Sequence, residues 1–547
     1  DFSWGIDIAS FFEALSPISR YVYFHNLGFD GVFILDWLLK NGFVYTDAKK
    51  LEANQFKCVI DKMGKYYSIT VMLKPGVRIE FRDSLKKLPM TVKRIAEAFK
   101  LPIAKGEIDY HEYRAPGHQP NAEELEYLYN DVAIVAKALG QQLNSGMKRL
   151  TIGSDSLLEY KRLMGGEKVF RKLFPALPKA MDSEIRTAYR GGWTYADKRF
   201  RGKIQYRPVR VYDVNSLYPS VMKNNVLPYG EPVYTDTVPE ISDKFPLFVT
   251  TITFTAKIKP NHVPCIQLKK NRFLSFSEYV DEIEEPTTIS CTSVDLELWQ
   301  EQYDMDILSY EGSWLFKGGR GFFDEYIDKW MEIKMTTRGG LREIAKLHLN
   351  SLYGKFASNP DATGKFPILD IENNRIRLVL GNEETKTPVY TPMGVFITAY
   401  ARALTIRAAQ NNYECFAYAD TDSLHLLTDN DPETLNIDPH ALGAWKFENE
   451  FESGLYVRAK CYTEKKSECT CLIGPPFANH ERGCGYETHI AGLPDYVTNQ
   501  VTYDDFWSGH EFRGKLTPKI VPGGVVLTET SWTLTDAWLD ELTEGAA

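Results

Sequence analysis

The chain has 547 residues, a formal net charge of −9 and an ordinary globular composition, 44% apolar and 25% charged. That length excludes a single small domain and predicts roughly three to four folding units. The acidic balance excludes a uniformly basic nucleic-acid binder, though not a local basic face, and no apolar run is long enough to span a membrane. The eight cysteines are sparse. Cys58, Cys265, Cys291 and Cys415 stand alone, which predicts reduced thiols in a cytosolic protein and not a disulfide framework. No secretory signal is visible, and the first residue is Asp1 and not Met. The expectation is that a segment upstream was removed or never included.

Residues 1–150 predict alternating strands and helices, an α/β unit. In "RYVYFHNLGFDGVFILDWLL" a strand gives way through a glycine-containing turn to an apolar-faced helix. "SLKKLPMTVKRIAEAFKL" and "NAEELEYLYNDVAIVAKALGQQL" have helical spacing. Asn121 is a candidate N-cap for the second, with Glu124 three residues on. Residues 151–185 predict a connector with helical pieces. The stretch 235–315 is rich in Thr, Val, Ile and Pro and predicts a β-dominated insertion. Residues 322–358 predict a pair of helices. "DATGKFPILDIENNRIRLVLGNEET" predicts a hairpin turning at Asn373-Asn374. The last third mixes strands and loops, and "DAWLDELTEGAA" is an acidic tail.

Three distant segments carry chemistry. In "VRVYDVNSLYPSVMKNNVLP" a short strand ends at Asp213, and Pro219 suits the first turn of the helix that follows. A strand-to-helix turn puts an aspartate at an edge that a metal can reach. By itself Asp213 also reads as a helix N-terminal aspartate, favoured by the dipole. In "GGLREIAKLHLNSLYGKF", at about 100° per residue, Arg342, Lys346, Asn350 and Tyr353 share an arc of roughly 80°. Leu341, Ile344, Ala345, His348 and Leu352 gather on another side. The first face suits a triphosphate and the base it carries. A solvated cationic face is the plainer alternative, and His348 reads as a core histidine. In "FAYADTDSLHLL" an apolar run is broken by Asp420 and Asp422, and Tyr418, Asp420 and Asp422 share strand parity. A tight turn at Asp420-Thr421 puts the carboxylates at a hairpin tip. A merely polar turn is the alternative, although turns more often carry Gly, Pro or Asn. Taken together, carboxylates from distant segments and a cationic helix specify metal-assisted phosphoryl transfer.

"DVNSLYPS", "KLHLNSLYG" and "YADTDS" resemble the three core motifs of family B DNA polymerases. "AYRGGWTYADKRF", "RAKCYTE", "DSLKKLP", "GSDSL", "FASNPDATGK", "VYTPMGVFITA" and "VPGGVVL" are similar to motifs of the protein-primed branch, in order and over nearly the whole chain. The resemblance implies a multidomain α+β and α/β architecture. An N-terminally incomplete, ribonuclease-H-like exonuclease domain (1–150) and the connector (151–185) precede a right-hand polymerase (186–547). Within the polymerase it implies a palm (186–261 and 386–485), an insertion in the terminal-protein region (262–321), fingers (322–358), a second insertion (361–385), and a thumb with C-terminal tail (486–547).

The same resemblance implies residue roles. Asp213 and Asp422 hold two Mg²⁺ ions, with Mn²⁺ as a substitute, helped by the Val214 carbonyl, and Asp420 assists from behind. Tyr218 excludes a 2′-hydroxyl, Arg342 and Lys346 bind the triphosphate, and Asn350, Tyr353 and Gly354 shape the nascent pair. Ser216, Tyr418 and Thr421 serve the primer, template and incoming nucleotide. Lys460 and Tyr462 grip the primer strand, and Tyr189, Gly191 and Gly192 contact the template. The implied partners are primer–template DNA, dNTPs and a terminal protein that primes synthesis. The implied reaction is DNA synthesis with strand displacement, in the cytoplasm of a bacterial host, by a viral replication protein.

The pattern departs from the family in one place. Asn26, Asp30, Lys105, Tyr110, Tyr127 and Asp131 match the family's proofreading 3′–5′ exonuclease. The Asp-x-Glu that opens that motif set is absent, because Ser3 follows Asp1-Phe2 where the glutamate belongs. The segment between Asp1 and Asn26 is also shorter than the family's. The expectation is an exonuclease absent or severely impaired in this chain, by truncation. Cys469, Cys471, Cys484, His480 and His489 match no common zinc spacing, so free thiols in a loop are expected there and not a zinc site.

Overall fold

The structure is a computed structural model that describes residues 2–109, 112, 114, 117–268, 279–467 and 482–535. Tyr110, Cys469, Cys471, His480 and the acidic tail lie outside the described residues. The chain divides into two compact units. One comprises residues 1–167, 325–388 and 517–528; the other comprises 168–324, 389–516 and 529–547.

The first unit is built on a five-stranded mixed sheet. Its order is Arg20–Phe24, Val77–Asp83, Tyr66–Lys74, Gln55–Ile60, Val44–Tyr45. Arg20–Phe24 runs parallel to Val77–Asp83, and the next two pairings are antiparallel. The helix Leu27–Lys40 packs on this sheet through Leu27, Ile34, Leu35 and Leu38, all buried against Phe56, Ile69, Val71 and Phe81. The helix Ile8–Leu15 begins where the Asp7 side chain accepts the Ser10 N–H, and its Phe12 ring stacks on Trp37 at 3.9 Å. The predicted N-cap is present. Asn121 and Glu124 bond reciprocally and open the helix Ala122–Asn144. The predicted hairpin is Lys365–Asp370 paired with Arg375–Leu380, and Asn374 turns the chain at φ 47°.

The pair of helices read from residues 322–358 is Asp324–Thr336 and Gly340–Phe356. From Glu325 onward these belong to the first unit. The predicted apolar side of the second helix holds for Ile344, Ala345, His348 and Leu352, but Leu341 is exposed, one residue past the helix start where no neighbour covers it. His348 is a core residue. Its ring stacks on Trp330 at 3.9 Å, and burial presses its pKa down to about 3.

The second unit contains an antiparallel sheet in the order Trp445–Phe451, Val209–Val214, Ser423–Leu426, Phe416–Asp420, Thr194–Ala196. The helix Thr391–Asn411 lies against the strands Phe416–Asp420 and Ser423–Leu426. A second antiparallel sheet spans Leu227–Thr235, Leu247–Ile258, Glu282–Thr292 and Tyr303–Gly319. A third joins Ser453–Arg458, Cys461–Lys465 and Tyr486–Ile490.

Two helices in this unit escape the sequence reading. Ser293–Gln302 interrupts the stretch read as β-dominated and is capped by Thr292 and Asp295. Thr391–Asn411 sits in the part read as strands and loops. Both are buried on nearly every side. Only a narrow stripe of each meets water, Glu297 and Gln300 in the first and the half-buried Tyr400, Leu404 and Arg407 in the second, so the amphipathic period is weak.

The thiol expectation is corrected at one position. Cys58, Cys265, Cys291, Cys415 and Cys461 are free, but Cys484 is disulfide-bonded. Sparse spacing argues against a disulfide framework and leaves a single bridge open. A disulfide sulfur is no thiolate ligand, so Cys484 is not available to zinc.

Candidate active site

Asp213 and Asp422 meet because two strands pair. Ser423 lies opposite Asp213 in the register of Ser423–Leu426 with Val209–Val214. The Val214 N–H also donates to the Asp422 carbonyl at 2.8 Å. Asp213 is on the strand. Ser216, at φ 56°, stands at the N-cap of the helix Leu217–Asn224, so Asp213 does not cap that helix. Pro219 falls in its first turn, as predicted.

The run "ADTDS" is a two-residue hairpin loop between the paired residues Asp420 and Ser423. Thr421 sits at φ 61°, a left-handed conformation that costs a β-branched residue about 1–3 kcal/mol. Its surroundings hold it there. Its N–H donates to the Trp193 carbonyl at 2.8 Å, and its carbonyl accepts from the Thr405 hydroxyl at 2.7 Å. Asp422 is therefore a turn residue, so the strand-parity argument covers Tyr418 and Asp420 but not Asp422. The tight turn expected at Asp420-Thr421 is thus present one residue later, with threonine at the position that a two-residue hairpin usually gives to glycine.

The electrostatics separate the three aspartates. Asp420 is compensated: the Lys460 ammonium bonds both its carboxylate oxygens at 2.9 and 2.8 Å, and Thr194 Oγ1 donates to it at 3.0 Å. Asp213 is held up to about 7 by burial first, then by the charges of Asp422 and Glu448. Lys446, its cross-strand neighbour, opposes this shift but is itself paired with Glu448 at 2.5 Å. Asp422 is raised by burial, with Asp420 adding to the shift and Lys460 opposing it. Two half-buried carboxylates that disfavour each other's charge form a site that a cation stabilises. Among the described residues no three His, Cys, Asp or Glu side chains form a metal cage. Two carboxylates are nonetheless the number Mg²⁺ takes where substrate phosphates complete its shell, so the donor set fits.

That tension predicts a linkage. Asp213 titrates above its unfolded value, so its neutral form favours the fold. The associated stability is complete below pH 4 and is lost as pH rises through about 7. In chelator at pH 8, Asp213→Asn should therefore melt above the wild type, by about 1–2 kcal/mol after allowance for partial exposure. At pH 4 the difference should vanish. Adding Mg²⁺ should raise the wild-type melting temperature more than that of the variant.

The glycine loop supports the hairpin tip. A Cβ on Gly192 would meet Thr421 Oγ1 at 2.5 Å and Cγ2 at 2.7 Å, whereas one on Gly191 would meet nothing within 4 Å. The space at Gly192 is thus used by Thr421 of the same chain. The loop is anchored from behind: the Arg402 guanidinium donates to the Arg190 and Gly191 carbonyls at 2.7 and 3.0 Å and pairs with the buried Asp295 at 2.6 Å. Gly192→Ala should displace the tip and lower stability by about 2 kcal/mol, read as a fall in melting temperature. Gly191→Ala should leave the melting temperature in place.

Tyr418 is fully buried, and its hydroxyl oxygen accepts the Lys460 N–H at 2.9 Å. Tyr462 is buried beside it at 4.6 Å between ring centroids and stacks on His489 at 4.9 Å. Tyr189 and Tyr218 are half-buried. The sequence reading missed the Asp420–Lys460 pair, Thr405 and the use of Gly192. No local signal marks any of them, since each joins residues far apart in the chain.

In the first unit, the helix Gly340–Phe356 leaves Arg342, Asn350 and Gly354 exposed and Lys346 and Tyr353 half-buried. Lys346 is tied to Glu343 at 2.8 Å. Of the exonuclease-like residues, Asp131 and Lys105 lie near His25, whose pKa is lowered by burial and which feels their charges and that of Asp83. Asn26 is left-handed, and its N–H donates to Asp83 at 3.1 Å. Asp30, in the first turn of its helix, is raised to about 6 by burial, with Asp83 adding to the shift. Lys105 lies 5.9 Å from the centre of the Tyr127 ring. One buried oxygen of Asp131 has no hydrogen-bond partner among the described residues. Asp83 is an acid that the sequence reading did not single out. One of its oxygens already accepts the Asn26 and Leu85 N–H groups.

The sequence matches the family described as DNA polymerase type B, organellar and viral, over residues 13–121 and 111–439. It is 41% identical to the DNA polymerase of Bacillus phage phi29, over 98% of this chain and 94% of that protein. It is 32% identical to the DNA polymerase of Streptococcus phage Cp-1, over 93% of this chain and 87% of that protein. Among solved structures, the fold is similar to phi29 DNA polymerase complexed with primer-template DNA and incoming nucleotide substrates. That match has a TM-score of 0.88 and 40% identity and covers 97% of this chain and 93% of that one.

Proposed function

The chain belongs to the type B DNA polymerases, organellar and viral, and from that premise we propose that it extends a primer 3′-hydroxyl on a DNA template by nucleotidyl transfer from dNTPs. The observation that carries this reading is the pairing of Asp213 with the Asp422 turn, two half-buried carboxylates that a cation would stabilise. They would hold Mg²⁺, or Mn²⁺ in its place, with the Val214 carbonyl. Bound there, the metal supplies charge neutralisation of the transferring phosphate and activation of the primer hydroxyl. The hydroxyl attacks the α-phosphorus, the bond to the bridging oxygen breaks, and pyrophosphate leaves.

The protein's own groups position the reactants. Tyr218 stands where a 2′-hydroxyl is excluded by bulk. Ser216, Thr421, Lys460 and Tyr462 serve the primer end, and Tyr189, Gly191 and Gly192 the template. Arg342 and Lys346 bind the triphosphate, and Asn350, Tyr353 and Gly354 shape the nascent pair. That assignment rests on the sequence motif and on the open face of the helix. Asp420 acts through Lys460, which it holds. The motifs of the protein-primed branch support a terminal-protein hydroxyl as the first primer and strand displacement during elongation. The protein would work in the cytoplasm of the infected host. No helix among the described residues is long and apolar enough to cross a membrane.

Extension of a labelled primer on a defined template, with Mg²⁺ and dNTPs, tests the reading. Template-directed incorporation is expected, and no incorporation by the wild type overturns it.

A further inference from the structure

Behind the catalytic hairpin lies a buried acid that the proposed chemistry does not use. Tyr418 and His425 face each other across the hairpin, with ring centroids 5.1 Å apart. The sheet that begins at Ser453 covers them. Tyr456 stacks on Tyr418 at 5.5 Å, and Tyr462 lies 5.2 Å from His425. Glu464 closes this aromatic box. Its Oε1 accepts the Tyr456 hydroxyl at 2.5 Å and lies 2.6 Å from His425 Nδ1. Glu464, His425, Tyr456 and Tyr418 are each at most 3% exposed.

The box is linked to the carboxylate edge through Tyr418. The Tyr418 hydroxyl oxygen accepts the backbone N–H of Lys460, and Lys460 takes the left-handed φ of 57°. A lysine in that conformation is strained and stays there only when its neighbours over-determine it. Its carbonyl accepts the Ala491 N–H at 2.8 Å, which fixes the peptide from the other side. So oriented, the ammonium reaches the Asp420 carboxylate, two residues from Asp422.

We infer that Glu464 is a positioning residue for Lys460: through Tyr456, His425 and the Tyr418 hydroxyl it fixes the left-handed turn that aims the Lys460 ammonium at the carboxylate edge. A lysine presented there meets a DNA phosphate as a point charge whose placement sets where the primer end lies. Lys460 touches the DNA, and Glu464 acts only through the box. The inference rests on the polymerase reading for what Lys460 grips.

The test is a mutant cycle on primer–template affinity, with single-nucleotide incorporation measured in parallel. Glu464→Leu, which keeps bulk but loses the acceptor, and Lys460→Ala should each weaken primer–template binding about tenfold, and the double variant should bind no worse than Lys460→Ala alone. Glu464→Gln, which keeps an acceptor oxygen, should restore binding to within about twofold. At saturating DNA, kcat should fall less than affinity. Tyr418→Phe removes only the hydroxyl that holds Lys460, and it should show the same non-additivity with Lys460→Ala; it carries the test if Glu464→Leu does not fold. Wild-type affinity in Glu464→Leu overturns the inference, as do losses that multiply to about a hundredfold in the double variant. A wild type that binds DNA but incorporates nothing defeats the polymerase reading, while the affinity cycle still decides the role of Glu464.

Discussion

Asp422→Asn should reduce single-nucleotide incorporation at least about a thousandfold, a loss of about 4 kcal/mol in transition-state stabilisation. The substitution is nearly isosteric. The turn is held by backbone groups that do not change: Asp422 N–H to the Asp420 carbonyl at 2.7 Å, and Val214 N–H to the Asp422 carbonyl at 2.8 Å. What is lost is one of the two half-buried negative charges that favour a cation. The remaining carboxylate, Asp213, is raised to about 7 partly by Asp422, so its pKa should fall once that charge is gone. A single carboxylate then competes with the hydration shell of Mg²⁺, and Mg²⁺ dehydrates reluctantly. The measurement is incorporation at saturating DNA and nucleotide, where the loss should appear in kcat with primer–template affinity nearly intact. Undiminished incorporation would show that the metal-bound chemistry lies elsewhere.

The second expectation is an absence of activity. A labelled primer with a 3′ mismatch, given Mg²⁺ but no nucleotides, should not shorten. Its degradation should run at least about a thousandfold below the rate of incorporation by the same preparation. Two-metal hydrolysis needs several carboxylates converging on one phosphate, and among the described residues Asp30 and Asp131 are those that match the family's exonuclease positions. Ser3, at the position of the missing glutamate, is exposed and carries no charge. Asp83 adds negative potential, but one of its oxygens is engaged by two backbone N–H groups. Asp30 itself is raised to about 6 by burial, with the charge of Asp83 adding to the shift. Brisk, Mg²⁺-dependent shortening would defeat this expectation.

Much of the site was legible in the chain because its elements have strong local signals. A strand that ends in an aspartate before a helix-compatible proline, an apolar run broken by two acids, and a helix with cations on one face each follow a periodicity that solvent contrast imposes. The exposed face of Gly340–Phe356 and the core role of His348 follow from the same contrast. The helices Ser293–Gln302 and Thr391–Asn411 were missed where that contrast is weak, since each is mostly buried and leaves only a narrow stripe to water. The hairpin turn was expected at Asp420-Thr421 and falls one residue later, at Thr421-Asp422. Thr421 takes a backbone conformation that composition assigns to glycine, and it does so because Trp193 and Thr405, distant in sequence, hold both its peptide groups.

By itself the sequence determined which residues are available for metal-assisted phosphoryl transfer and which secondary elements carry most of them. Only the tertiary structure decided their division of labour. Asp213 and Asp422 share one half-buried, mutually repelling field, whereas Asp420 is neutralised by Lys460 forty positions away. Gly192 makes room for Thr421, and Glu464 lies buried behind the tip. The physical reason is the range of the forces involved. Helix and strand patterns are set by neighbours within a few residues, but burial, charge pairing and steric fit depend on partners that only the sheet brings together.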